Sequence, residues 1–148
     1  MNIGIYLRTL SDKNQLMHIS TFINRCLELD GVKDASIFYD DVGPNPFKIN
    51  SGIFNSADLW NFHGLLISTS LECLMSSRKI VNNIQSYYYY GWEQNKPNVL
   101  DMLYSIDGVN IICQNPEQKK YLNRVLGEKQ VYISENFNDL DNILKETV

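Results

Sequence analysis

Apolar positions along the chain change period several times, and each change marks an element. Residues 2–7 alternate and are rich in Ile, Tyr and Leu, which predicts a strand leading into the polar loop Arg8-Thr9-Leu10-Ser11-Asp12. From Leu16 the apolar set Leu16, Ile19, Phe22, Ile23, Cys26 and Leu27 recurs at helical spacing. Ser11 or Asp12 can cap that helix, and Asp30-Gly31 is its stop signal. Residues 35–39 form a second strand, closed by Asp40-Asp41 and the turn-rich Gly43-Pro44-Asn45-Pro46, and Phe47-Lys48-Ile49 reads as a short edge strand.

The second half repeats the alternation. Residues 56–60 predict a short helix, 64–68 a buried strand, and Thr69 or Ser70 caps a helix through Leu71, Leu74 and Met75. A strand from Ile80 to Tyr88, a helical turn or two at 99–104 and a strand at 109–113 follow. Pro116 opens a helix that ends at Gly127, residues 130–133 are a last strand, and Phe137, Leu140, Ile143 and Leu144 define a C-terminal amphipathic helix. Strand and helix thus alternate nearly throughout. The expected fold is α/β: a single Rossmann-like domain over residues 1–148, with a mostly parallel sheet and helices on both faces.

Composition narrows the classes. The chain has 148 residues, enough for one real core, with 44% hydrophobic and 20% charged residues. A net charge of −4 argues against nucleic-acid binding through bulk electrostatics. No apolar run is long enough to span a membrane and the N-terminus lacks a secretory pattern, so a cytoplasmic protein is expected. Cys26, Cys73 and Cys113 are widely spaced among apolar residues, without a CxxC or a histidine pair; they read as buried hydrophobes, and no metal or cofactor is called for.

In sheets of this kind ligands bind outside the carboxyl ends of the strands, where strand order reverses. That rule selects the loops Arg8 to Asp12, Asp40 to Asn45, Ser68 to Ser70, Tyr89 to Asn95, Gln114-Asn115 and Ser134 to Asn136. The first has no glycine, so the dinucleotide fingerprint is missing, as is a Walker A sequence. Arg8 there is a solvated side chain or a phosphate contact. Ser68-Thr69-Ser70 lacks a nucleophile elbow and is accounted for by helix capping. Asp40-Asp41 has the pattern of solvated turn acids.

The most distinctive stretch is "NNIQSYYYYGWEQNKP", residues 82–97. As a central parallel strand covered on both faces, it can place Tyr87 and Tyr88 on opposite sides and still bury both. Tyr90-Gly91-Trp92-Glu93-Gln94 should project past the strand end. An aromatic ring beside a carboxylate suits a sugar, which offers C–H faces for stacking and hydroxyls for acceptance. Glu93 as a local cap and Trp92 as a staple between helix and sheet are the alternatives.

The same stretch, with "VNIICQNPEQKKYLNRVLG" and "QVYISENFNDLDNIL" after it, resembles the N-terminal, acceptor-side half of GT-B glycosyltransferases of the family-4-like type. The first forty residues are compatible with that family's first strand, helix and second strand. The family's glycine-rich first loop is missing, Ser134-Glu135-Asn136-Phe137-Asn138 has no glycine, and Gln114 stands where serine is common. The resemblance implies a sugar or nucleotide-sugar ligand, with Glu93 as hydroxyl acceptor or base and Tyr90 and Trp92 as stacking walls. Arg8 would contact an anionic group, and Thr9, Ser68, Thr69, Gln114 and Asn136 would complete the site. In that family a second domain holds most of the nucleotide-sugar. Activity is therefore expected to need a partner subunit, or a homo-oligomer; the competing expectation is a non-enzymatic ligand- or protein-binding module.

Overall fold

The computed structural model describes residues 1–10, 12–43 and 47–147. Seven strands form one sheet: β1 (Asn2–Thr9), β2 (Asp34–Asp41), β3 (Gly52–Asn55), β4 (Gly64–Ser68), β5 (Ile84–Tyr89), β6 (Asn110–Cys113) and β7 (Val131–Ile133). Their order is β3-β2-β1-β4-β5-β6-β7, and every neighbouring pair is parallel. Parallel neighbours need crossovers. These are α1 (Lys13–Cys26), the 3-10 turn Ser56–Asn61, α2 (Leu71–Ser77), α3 (Val99–Ser105) and α4 (Pro116–Leu126), with α5 (Leu140–Thr147) after β7.

Alternation along the strands sends their apolar residues to opposite faces of the sheet, in three clusters, the third joining Tyr6, Phe38 and Leu66 to Leu59, Phe62 and Cys73. Ile3, Ile5, Leu65, Ile67, Tyr87 and Tyr89 face α1 and α5, where they meet Leu16, Ile19, Phe22, Phe137 and Leu140. Tyr88, Ile111 and Cys113 face the other way, against Leu74 of α2, Met102 of α3 and Leu122 of α4. All four tyrosines of the run are core: Tyr87, Tyr88 and Tyr89 are 0% exposed, and Tyr90, just past the strand, joins the second cluster. The expected fold, a Rossmann-like sheet covered on both faces, is the observed one.

Three expected elements differ. Phe137 lies outside the C-terminal helix, in the 3-10 turn Glu135–Phe137, and its positive φ interrupts the helical backbone before α5 begins at Leu140. Residues 47–49 form no strand; the edge strand is β3, five residues later, paired with β2 through Ser36–Gly52 and Ile37–Ile53. Backbone pairing chose between two short apolar runs that look alike in sequence. The β5 strand begins at Ile84 rather than Ile80, because α2 caps at Arg78 and the chain turns through residues 82–83 before it meets β4. Asp12 caps α1, accepting from the Gln15 amide at 3.1 Å; Ser11 and the Pro44 to Pro46 turn lie outside the described residues.

Candidate functional site

Strand order reverses between β1 and β4: the chain runs outward through β2 and β3, then returns to β1's other side. Their carboxyl ends diverge there and leave a crevice of about 440 Å³, a size usual for small-molecule sites. Arg8 and Thr9 enter it from β1, Thr69 from β4, and Trp92 and Glu93 from the loop after β5. Thr69 is held by β1: its backbone N–H and its Oγ1 both donate to the Tyr6 carbonyl, at 3.0 and 3.1 Å. Asp12 and Ser70, which cap α1 and α2, line the same space.

The loop after β5 reaches the crevice because the chain breaks direction at Gly91. That residue has φ +110°, and a Cβ there would lie 2.7 Å from the Gln118 side chain. The Gln118 amide could shift aside, but the φ itself is one that residues with a Cβ rarely adopt. Trp92 then lies over the first core, with ring centroids 4.8 Å from Tyr89 and 4.6 Å from Phe137. Its carbonyl accepts from Gln15 Nε2 at 3.2 Å and its indole N–H donates to Asn136 Oδ1 at 3.3 Å. Trp92 thus staples the β5 loop to α1 and to the segment after β7, and the half-buried residue lines the crevice.

Glu93 is engaged at both oxygens. Oε1 accepts the Tyr88 hydroxyl, and Oε2 accepts the Leu71 amide, in the first turn of α2, at 3.3 Å. Burial pushes its carboxyl above the usual range, although these two hydrogen bonds pull it down. A similar tyrosine–carboxylate pair lies two strands away, where Tyr6 of β1 donates to Asp40 Oδ1 of β2 at 2.8 Å. Between the two tyrosines lies Ser68, register partner of both, fully buried and with an Oγ that has no partner among the described residues. Arg8 Nη1 is 2.8 Å from Glu72 Oε2, so its charge is matched at the rim.

Four expected site residues sit elsewhere. Ser68 lies beneath the crevice in the sheet. Tyr90 is 6% exposed and stacks on Tyr121 of α4, a core contact rather than a stacking wall; alternation turned it away from Trp92. Gln114 and Asn136 line a neighbouring cavity that shares Trp92 with the crevice. Gln114 Nε2 donates to the Gly91 carbonyl at 2.9 Å and so fixes the turn.

Sequence reasoning missed Gln15 and Glu72, which lie inside helices rather than in the loops. Each is in the first turn after a strand's carboxyl end, and that position was the available signal. The Ser134–Asp139 segment was also unforeseen. Asn136, Phe137 and Asp139 have φ of 48°, 64° and 58°, a left-handed geometry that costs about 1–2 kcal/mol per non-glycine residue. Phe137 offsets it by complete burial against Phe22, Tyr89 and Trp92, and Arg25 holds its carbonyl at 3.0 Å.

Among the described residues, no three His, Cys, Asp or Glu side chains are grouped to hold a metal ion, and no helix is long and apolar enough to cross a membrane. Comparison with protein-family models, with curated proteins and with solved structures finds no match to this chain.

Proposed function

We propose that this chain is a sugar-binding domain of the glycosyltransferase acceptor-side type, which holds a polyhydroxylated ligand and leaves transfer to a second, donor-binding domain or subunit. The observation that carries this is the crevice at the strand-order reversal. There a tryptophan, carboxylates and side-chain amides converge from loops far apart in sequence. Hydroxyls need such mixed donors and acceptors, and a sugar's C–H face needs an aromatic neighbour. Binding is favoured over catalysis by Glu93, whose oxygens are both occupied by structural donors.

Fluorescence titration tests the proposal. Trp60 is 59% exposed on the connection into β4, so Trp60→Phe leaves Trp92 as the sole tryptophan reporter. Neutral sugars and nucleotide-sugars are then added in turn. A saturable change in emission is expected with at least one sugar, and flat emission across the panel would overturn the assignment.

A protein-binding role has its own support. Leu100, Leu103 and Tyr104 share one face of α3 and are 64%, 44% and 87% exposed. Such a patch suits a partner subunit or a second copy. Light scattering, with Leu103→Lys as the comparison, detects association through it; a monomer at all concentrations and no partner recovered would count against this second role.

A further inference from the structure

Two cavities meet at Trp92. Beside the crevice lies a second, of about 360 Å³, and Asp12, Gln15 and Trp92 line both. The second is walled by Asn14 and His18 of α1, Gln114 after β6 and Asn136 after β7. Its polar lining is thus amide and imidazole, with Asp12 its one carboxylate. The Asn136 amide accepts from the Trp92 indole, leaving an Nδ2 group with no partner among the described residues. The left-handed backbone at Asn136, Phe137 and Asp139 holds that amide against the ring.

Charge sets the ligand class. The crevice presents three carboxylates, Asp12, Glu72 and Glu93, against one guanidinium, Arg8, which Glu72 already holds at 2.8 Å. Even without Glu93, the two acids Asp12 and Glu72 face one base. A phosphate group would enter an unfavourable field, whereas uncharged hydroxyls would not.

We propose that the two cavities are adjoining subsites of one site for an uncharged glycan of at least two sugar units, laid across Trp92, which discriminates against phosphorylated sugars. This rests on the sugar-binding proposal above and specifies its ligand. Arg8 and Glu72 belong to the first subsite only, and Gln114 and Asn136 to the second only, so one sugar ring would leave half of the lining unused.

Calorimetric titration of the full chain decides it. The probes are glucose, maltose, cellobiose and glucose 1-phosphate, with N-acetylglucosamine and its β1,4-linked dimer. At least one disaccharide should bind about tenfold more tightly than its monomer, and the phosphate more weakly than glucose. Asn14→Ala, at an exposed position of α1, and Gln114→Ala should each cost the disaccharide about fivefold more than the monomer. If Gln114→Ala unfolds, Asn14→Ala carries the comparison. Equal affinity for monomer and dimer, unmoved by Asn14→Ala, would overturn the two-subsite arrangement and leave sugar binding standing. Tighter binding of glucose 1-phosphate would overturn the charge discrimination, and no binding of any sugar would remove both proposals.

Discussion

Tyr88 donates its hydroxyl proton to the carboxylate of Glu93, five residues further along the chain, and through Glu93 the end of β5 is tied to the first turn of α2. One wall of the crevice is therefore set by a bond that begins in the core.

Glu93 should make stability depend on pH. Burial raises its carboxyl above the unfolded value of 4.5, so the folded chain holds the proton more tightly than the unfolded chain. Between those two values the folded state binds more protons, and its stability falls as pH rises; above the folded value the loss is complete. Glu93→Gln removes this component. Urea unfolding at a series of pH values, compared between the two proteins, should give a difference that shrinks or changes sign as pH increases. A pH-independent difference would exclude the mechanism.

Tyr88→Phe keeps the ring and deletes the donor. The half-buried carboxylate loses one of its two bonds, and a destabilisation of about 1–3 kcal/mol is expected. The Glu93 carboxyl should rise further, which carbonyl NMR titration would read directly. An unchanged unfolding midpoint would show that the hydroxyl contributes nothing.

Phe137→Ala leaves the left-handed backbone in place and removes the packing that offsets it. A loss of about 3–5 kcal/mol is expected, in the range for large core deletions. Trp92 emission should shift to the red as its neighbour vanishes. Phe137→Leu, which fills part of the space, should cost less, and equal effects of the two would contradict this account.

Arg8 and Glu72 form an exposed pair, with side chains 63% and 71% accessible. A double-mutant cycle with alanine at both positions should give a coupling of about 0.2–1 kcal/mol, declining as salt is added. A much larger, salt-insensitive coupling would mean that the pair is shielded in solution.

Much of the layout was legible because it depends on local chemistry. Pro116 begins a helix, Gly127 ends one, and Asp12 and Ser70 cap helices through bonds to residues three positions away. The strand-end rule then placed the candidate loops before any fold was known. It selected too many residues. Whether a loop side chain enters a crevice depends on its facing, and one step along the chain reverses that, as Tyr90 shows against Tyr89.

By itself, then, the sequence determined the alternation of strand and helix, the core identity of Tyr87 to Tyr89 and the set of loops among which a site must lie. Periodicity and capping are short-range, and they survive without knowledge of neighbours. The tertiary structure alone decided the rest. Strand order put β1 beside β4, and so brought Arg8, Thr69 and Trp92 together. Packing of Phe137 under Trp92 placed Asn136 at the second cavity. Those are contacts between distant parts of the chain, set by which apolar faces bury each other, and no local pattern encodes them.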